Sequence, residues 1–356
     1  MIFKPVTHYL SILLLLFSTQ VSAQNIIARI DTGYANIKQI EVDAAFCRVE
    51  IGAISENGRV EFFGEISTEK KTKRVHSPYT FRHKVYGNKL KVWLEGRHRG
   101  SSINESRLMF KIPPQTNVKV RSSSGSIYAF GLSGDYTKLE TRGGAIKAQY
   151  VNAKFAQFKS FSGNIKVENL NSQEVNFNSH SGYFKLIDAK ANQINAKNHQ
   201  GSQRWINVRA SLDASCHQST IRVIGGKGKL RLHSHQGTLR IYDYVGEVYA
   251  RNYVGTIRLK NVHGTMDLQA NSGSIIGEGV LFVNQSRLQS SSGYIKMKLK
   301  NKLNKLDYDL RSNSGSIKIG EDRHGKKYVN RNGNKTFVRA MSSSGNLFFG
   351  KYEEEK

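Results

Sequence analysis

The sequence predicts an all-β chain that winds as a single-stranded parallel β-solenoid, or β-helix, with rungs of about 18–19 residues and an irregular, strand-rich N-terminal cap. Three observations predict this fold. The motif Ser-x-Ser-Gly-x-Ile recurs at a nearly constant spacing, which is typical of a solenoid. The residues around the motif alternate between apolar and polar with the period of a β-strand. No stretch of useful length shows helical periodicity, and Pro, which would break a β-ladder, does not occur after Pro114.

The reference position of each repeat is the Gly of the motif, as in residues 122–127, 160–165 and 312–317. Successive reference positions are at first 19 residues apart, then 18, and finally 20, 22 and 30. They are Gly125, Gly144, Gly163, Gly182, Gly201, Ser219, Gly237, Gly255, Gly273, Gly293, Gly315 and Gly345. We expect residues one period apart to be vertical neighbours in the stack, about 4.8 Å from each other.

Each rung is predicted to contain two strands that meet at the reference position. The residues two and four positions after it are mostly apolar, from Ile127 and Ala129 in the first rung to Leu347 and Phe349 in the last. Residues seven and five positions before it are also apolar, so a second strand precedes each corner. A short third side follows, marked by residues such as Leu132. We expect the corner Gly residues to adopt positive φ, which Gly tolerates.

The first 23 residues have the organisation of a secretory signal peptide. Lys4 supplies the positive charge, residues 10–17 are apolar, and residues 21–23 (Val-Ser-Ala) form a small-residue cleavage site. The apolar run is too short to span a bilayer, and no later stretch comes close to doing so. The sequence therefore predicts secretion across the inner membrane, to the periplasm or the cell surface.

Three further regions follow the predicted signal peptide. Residues 24–116 are strand-rich but less regular, and we expect them to form early rungs and a cap, because the end of a solenoid must be protected from edge-to-edge pairing. Residues 117–350 are predicted to be the regular solenoid, with a polar insertion at 321–334. Residues 351–356 are a charged tail that we expect to discourage further stacking.

The two cysteines are predicted to be unpaired and buried. Cys216 lies three residues before a reference position, in an inward column of small residues, and Cys47 lies before the first regular rung. The rungs of Gly125 and Ser219 are five steps apart, on the order of 24 Å. A disulfide needs Cα atoms within about 7 Å, so the predicted stacking keeps the two thiols apart.

The motif and the β-strand that follows it resemble the repeat of the bacterial putative-adhesin families, which are secreted β-strand-repeat domains of unknown function with an auto-transporter-adhesin-like β-solenoid. The resemblance covers residues 24–350. The stretch from Pro113-Pro114 to Ser124-Gly125 is similar to the usual entry of that family into its regular rungs. The resemblance implies an extracytoplasmic β-solenoid, and it supplies no catalytic residues to carry over.

A column of cations three residues after the reference position is the most specific candidate site. Its members, which we call the cationic row, are Lys147, Lys166, Lys185, Arg204, Arg222, Arg240 and Arg258. Ile276 then breaks the column before Lys296 and Lys318. The column falls between two apolar columns, so it is predicted to face outward over roughly 29 Å. Two interpretations stay open: ordinary solvated side chains, or a surface that binds an anionic polymer.

A second column, two residues before the reference position, carries four consecutive histidines between Phe161 and Tyr253. They are His180, His199, His217 and His235. Imidazoles at rung spacing are weak candidates for a shared transition-metal site. No carboxylate or thiolate column completes such a site, and planar side chains commonly stack in solenoids. Structural stacking is therefore the favoured interpretation, and no metal or cofactor is predicted.

These observations predict an extracytoplasmic, non-enzymatic, adhesin-like binding module that is monomeric. The net charge of +27 favours an anionic partner: an anionic polysaccharide, an envelope glycan or a lipid surface, with non-specific nucleic acid as a further candidate. One alternative is a self-assembling scaffold of the cell envelope, which the irregular start and charged tail disfavour. The other is a polysaccharide-active β-helix enzyme, but adjacent rungs carry no aligned pair of outward carboxylates of the kind that glycoside cleavage needs.

Overall fold

The computed structural model describes residues 25–68, 79–96 and 103–354 of the chain. Its strands join into one continuous sheet that coils upon itself, which confirms the predicted all-β parallel solenoid. The predicted signal peptide, residues 1–23, and the last two residues of the predicted tail lie outside the described residues. In the part of the chain that is described, no helix is both long enough and apolar enough to cross a membrane.

The N-terminal region forms two stacked layers of strands and an antiparallel cap. Its strands are β1 (Asn25–Tyr34), β2 (Gln39–Asp43), β3 (Arg48–Gly52), β4 (Val60–Thr68), β5 (Tyr79–Tyr86), β6 (Lys89–Gly96) and β7 (Ile103–Lys111). Strands β2 and β3 pair in parallel with β6 and β7. The antiparallel strands β5, β4 and β1 then cover the outer side of β6 and β7. The expected irregular cap is therefore present.

The regular rungs stack in parallel above β2 and β3. Their strands are β8 (Asn117–Ser122), β9 (Ile127–Phe130), β10 (Ser133–Thr141), β11 (Ile146–Ser160), β12 (Ile165–Ser179), β13 (Phe184–Gln200), β14 (Gln203–Gln218), β15 (Ile221–Gln236), β16 (Leu239–Tyr242), β17 (Val245–Val254), β18 (Ile257–Lys260), β19 (His263–Gly264), β20 (Met266–Ser272), β21 (Ile275–Phe282), β22 (Gln285–Ser290) and β23 (Ile295–Leu299). The period of 19 shortens to 18 between β13 and β14, where the register shifts after Lys190. The shift lies on the short third side, so both main strands keep an unbroken register.

The inward columns form one continuous apolar core along the solenoid. Ile146, Ile165 and Phe184 stack directly above one another and are fully buried. Phe177 and Trp205 add a perpendicular ring contact at 5.4 Å in the same core. Cys47 and Cys216 are buried and free, as predicted.

The corner glycines are required by close stacking, and positive φ is the exception among them. A methyl group on Gly163 would overlap the carbonyl oxygen of Gly144, and one on Gly144 would overlap that of Gly125. Gly201 and Gly237 have positive φ, but Gly144 and Gly163 do not. The expectation of positive φ at this corner is therefore wrong for most rungs. Apart from the rung of Ser219, the corner carries Gly because consecutive turns of backbone approach too closely for a Cβ atom.

The residues with positive φ form a second corner, six positions after the reference. This column consists of Gly131, Tyr150, Asn169, Asp188, Asn207, Gly225, Asp243, Asn261 and Gly279, with φ between 52° and 69°. Asn, Asp and Gly tolerate this conformation best. Side chains also bond along the column, since Asn207 Nδ2 donates to Asp188 Oδ1 at 2.9 Å. The second corner turns the chain onto the short third side.

A buried Ser, Thr or Asn three positions before the reference forms hydrogen bonds at most of the glycine corners, whereas Ala270 occupies this position before Gly273. Ser290 Oγ accepts a hydrogen bond from the Gly293 amide at 2.9 Å and donates one to the Gly273 carbonyl of the rung below at 2.8 Å. Asn198 Nδ2 likewise donates to Gly182 at 2.7 Å. The first Ser of the Ser-x-Ser-Gly motif therefore links neighbouring rungs as well as filling the core.

The C-terminal rungs stack out of chain order. Their strands are β24 (Asp307–Ser312), β25 (Ile317–Ile319), β26 (Asp322–His324), β27 (Lys327–Asn330), β28 (Phe337–Ser342) and β29 (Leu347–Lys351), preceded by a 3-10 turn at Leu303–Lys305. Strands β28 and β29 pair with β22 and β23 on one side and with β24 and β25 on the other. The last rung therefore lies between the two rungs that precede it in sequence. Antiparallel β26 and β27 pair with β25 and β24.

Candidate functional site

The cationic row lies in register on one outward face of the solenoid. Each of its seven residues is a direct Cα partner of the next, from the Lys147–Lys166 pair to the Arg240–Arg258 pair. The alternation of the strand causes this placement, because the flanking positions, such as Ile221 and Val223 beside Arg222, are fully buried. All seven side chains are exposed or half-buried. The predicted vertical alignment is therefore present.

Carboxylates neutralise little of the row. Lys166 forms an ion pair with Glu168 at 2.7 Å, and hydrogen bonds from Lys166 and then Gln149 lower the pKa of Glu168. Within residues 103–354, the other six cations have no ion pair. Lys147 lies over the Tyr128 ring at 5.4 Å.

The centre of the row contains unpaired guanidinium groups. Arg222 lies over the Tyr242 ring at 5.2 Å. The Nε atoms of Arg222 and Arg240 are shielded from solvent and have no hydrogen-bond partner. Planar guanidinium groups that lack a carboxylate partner are suited to bidentate contacts with carboxylate, sulfate or phosphate groups.

An apolar column lies beside the row on the same face, and the sequence analysis did not identify it as part of the site. Ile187, Ile206 and Ile224 stack in register two residues after Lys185, Arg204 and Arg222 and are half-buried. In the sequence, this column could have been recognised by an apolar residue at an outward position in three consecutive rungs. The face therefore offers charge and aliphatic surface side by side.

The row ends differently from the sequence expectation. Ile276 follows Arg258 and Lys296 follows Ile276, as predicted. Phe348 then pairs with both Lys296 and Lys318, because the last rung is inserted between theirs. The expected Lys296–Lys318 adjacency is therefore wrong.

A second, shorter line of cations lies on the third side of the solenoid. Lys190, Arg209 and Lys227 are consecutive Cα partners and are exposed. They border a shallow groove of about 960 Å³ that has a column of small residues, including Ala153 and Ala210, at its base. The sequence signal was a cation eight residues after the reference position in three consecutive rungs.

The histidine column forms a stack of rings, which we call the ring ladder: Phe161, His180, His199, His217, His235 and Tyr253. Neighbouring centroids are 4.7–5.0 Å apart, with planes within 13° of parallel. Metal ligands must instead converge on one point about 2.1 Å from each nitrogen. Stacked parallel imidazoles do not converge in this way, so the ladder is a structural stack with exposed edges.

The two cysteines and the buried aspartates of the C-terminal rungs have structural environments. Burial raises the pKa of Cys47 to about 12 and also raises the pKa of Cys216, which disfavours thiolate formation. Asp309 pairs with Arg311 at 2.9 Å. Burial opposes ionisation of Asp307, but hydrogen bonds from Asn332 and Asn334 amides hold its pKa below the usual range.

Comparison with known proteins gives one family match and several similar structures. The family model described as Toastrack DUF4097 matches residues 37–224 and 174–348. A putative adhesin from Bacteroides fragilis shares 15% identity over 60% of this chain and 95% of its own, with a TM-score of 0.43. A putative adhesin from Parabacteroides merdae shares 11% identity over 90% and 96%, with a TM-score of 0.27. A putative cell adhesion protein from Clostridium sporogenes shares 8% identity over 91% and 99%, with a TM-score of 0.20. No curated protein matches the chain.

Proposed function

This chain belongs to the Toastrack DUF4097 family, and from that premise we propose that it is a non-enzymatic, adhesin-like binding module that presents the cationic row to an anionic polymer or surface outside the cytoplasm. One observation carries the proposal. Seven cations lie in register on one face, and in the described part of the chain six of them have no ion pair.

Without a ligand, the cationic row destabilises the fold. Like charges directly opposite on neighbouring strands are destabilising, and acids at alternate rungs would have removed the repulsion. The ion pair between Lys166 and Glu168 is one such acid contact. A ligand with repeated negative charges would relieve the repulsion that remains, and its binding would be strongly salt-dependent.

The shape of the row favours an extended ligand. Six rung steps give a straight line of roughly 29 Å, which an anionic polysaccharide, a phosphorylated envelope glycan or an anionic lipid surface can follow. Ile187, Ile206 and Ile224 provide apolar contact along the same line. Nucleic acid would bind through charge alone, without sequence preference.

The test uses fluorescein-labelled dextran sulfate and phosphatidylglycerol vesicles at pH 7.5. We expect binding at 50 mM salt to weaken at least about tenfold at 200 mM salt, and the triple variant Arg204→Glu, Arg222→Glu, Arg240→Glu to abolish it. The control variant Lys326→Glu, Lys327→Glu, Lys335→Glu makes the same change in net charge at exposed positions within or next to the C-terminal insertion, and it should bind like the wild type. Equal binding by the two triple variants would remove the row from the function.

Secretion and a monomeric state are separate parts of the proposal. Mass spectrometry of envelope fractions should find a mature chain that begins at Gln24, and a full-length chain confined to the cytoplasm would contradict secretion. Antiparallel strands pair at both ends of the stack, through β4 and β5 at one end and β26 and β27 at the other. This arrangement opposes end-to-end assembly, so light scattering should give the monomer mass of about 40 kDa or slightly less.

A further inference from the structure

The ring ladder is a second exposed column of the solenoid, separate from the cationic row. We propose that the face formed by the ring ladder is a second binding surface, one that takes sulfate or phosphate esters on a linear polymer when the surroundings become acidic. The four stacked histidines are its pH-sensitive part, because histidine is the side chain that ordinarily changes charge between pH 5 and 8. This surface does not depend on the cationic row.

The geometry places the four imidazoles where one linear ligand can contact all of them. His180, His199, His217 and His235 are consecutive in the stack, with centroids 4.7–5.0 Å apart, and all four are exposed. Protonation therefore creates a line of positive charge with the repeat of the rungs. Adjacent imidazolium rings repel each other, and a polymer with regularly spaced negative charges would relieve that repulsion.

The surroundings of the ladder are cationic or neutral. On the same strands, two residues before each ring, lie Lys159, Asn178, Lys197, Ser215, His233 and Arg251. Arg142 lies one rung below Phe161. On the other side of the ladder, the positions that follow each ring are Ser162, Ser181, Gln200, Gln218, Gln236 and Val254, all uncharged.

The nearest acids do not neutralise the ladder. Glu140 lies one rung below Lys159 and pairs with Arg121 at 3.0 Å. Asp213 lies four residues before His217 on the same strand, roughly 13 Å away, and its Cα partner is Arg231. In the described residues no carboxylate forms an ion pair with any ring of the ladder.

A depression at one end of the ladder supplies a specific docking point. It has a volume of about 540 Å³ and is bordered by His233, His235, Arg251, Tyr253 and Asn271. Arg251 can bind two oxygens of a sulfate or phosphate group. The amide of Asn271 adds a neutral donor and acceptor beside it. One ester group of the polymer would therefore occupy the depression, and the following groups would lie along the ladder.

The test is the ratio of the affinities for dextran sulfate at pH 5.5 and at pH 7.5. Sulfate esters keep a constant charge over this range, so a change in affinity reports protonation of the protein. We expect binding at least tenfold tighter at pH 5.5 in the wild type, and we expect the triple Arg→Glu variant of the cationic row, which does not bind at pH 7.5, to bind at pH 5.5. Loss of binding at pH 7.5 in that triple variant tests the proposed function, and the pH ratio tests this inference, so the two can fail separately.

Two ladder variants keep the test independent of folding. One replaces the four ladder histidines with Gln. The other replaces them with Phe, which preserves the stacked rings and already occurs in the column at Phe161. Both should lose most of the tighter binding at pH 5.5, whereas the control His263→Gln, His324→Gln should keep it. A pH ratio that stays at the wild-type value in both ladder variants would overturn the proposal.

Discussion

The Gly163 amide donates a 2.8 Å hydrogen bond to the Ser160 hydroxyl, which lies three residues earlier on the buried side of the corner. The same contact recurs between Ser312 and Gly315 and between Ser342 and Gly345. It explains why the motif begins with Ser: the side chain satisfies an amide at a turn that would otherwise lack an acceptor.

Ser160→Ala should destabilise the solenoid by about 1–2 kcal/mol, because it leaves the buried Gly163 amide without an acceptor. Ser160→Thr should preserve stability, since Thr141 Oγ1 accepts the equivalent bond from Gly144 at 3.0 Å. Urea denaturation followed by far-ultraviolet circular dichroism measures the difference. Equal midpoints for the Ala and Thr variants would show that the hydroxyl contributes nothing.

Gly163→Ala should be far more harmful, costing about 3 kcal/mol or more, because its methyl group would overlap the Gly144 carbonyl oxygen and force two rungs apart. Gly325→Ala is the matched control, since no atom lies within 4 Å of its added methyl group. Thermal denaturation of both variants provides the comparison. A corner that accepted Ala without loss of stability would disprove the close-stacking account.

Gln203→Val should stabilise the protein by about 1 kcal/mol and raise its Tm by about 2 °C. Gln203 occupies a column of large apolar residues and is 1% exposed. Its Nε2 atom donates to the Ser215 carbonyl at 2.7 Å, but its Oε1 atom has no partner. Val removes the buried unsatisfied acceptor at similar volume. Calorimetry would reject this account if the Val variant melted below the wild type.

Glu41, in β2, should make the free energy of unfolding sensitive to acid. Hydrogen bonds from Lys119 and then Lys89 lower the pKa of Glu41 to about 2. Because this pKa lies below the unfolded value, the stabilisation is complete at neutral pH and is lost as the pH falls from about 4.5 towards 2.

Glu41→Gln should therefore lower the free energy of unfolding by about 1–2 kcal/mol at pH 7, and the difference from the wild type should vanish near pH 2. Glu56→Gln makes the same charge change at an exposed position and should have little effect at either pH. Denaturation midpoints measured from pH 7 to pH 2 test the prediction, which a pH-independent difference would contradict.

The spacing of the repeat was sufficient to predict the stack and the alignment of its columns. A residue such as Arg222 could be assigned to an outward column, with Arg204 and Arg240 as neighbours, because the period of the rung and the period of the strand together determine both height and face. The confirmed Cα pairings follow from those two numbers alone.

Other features depend on contacts that the period does not encode. Sequence spacing cannot show whether Gly163 is needed for its conformation or for the carbonyl of Gly144 beneath it. The motifs around Gly293, Gly315 and Gly345 share the Ser-x-Ser-Gly-x pattern followed by an aliphatic residue, so the pattern is compatible with either order of stacking. The groove beside Lys190 depends on how the short third side curves between the two main strands, which the repeat spacing does not encode.

The insertion of the last rung between its two predecessors affects how the molecule is completed during synthesis. A ribosome delivers β24 and β25 before β28 and β29, yet β28 and β29 separate them from β22 and β23. The earlier rungs can stack as they are synthesised, but β24 and β25 cannot join the stack until β28 and β29 are available. A chain truncated before Phe337 would therefore leave β24 and β25 without their parallel partners and β22 and β23 without a neighbour above them.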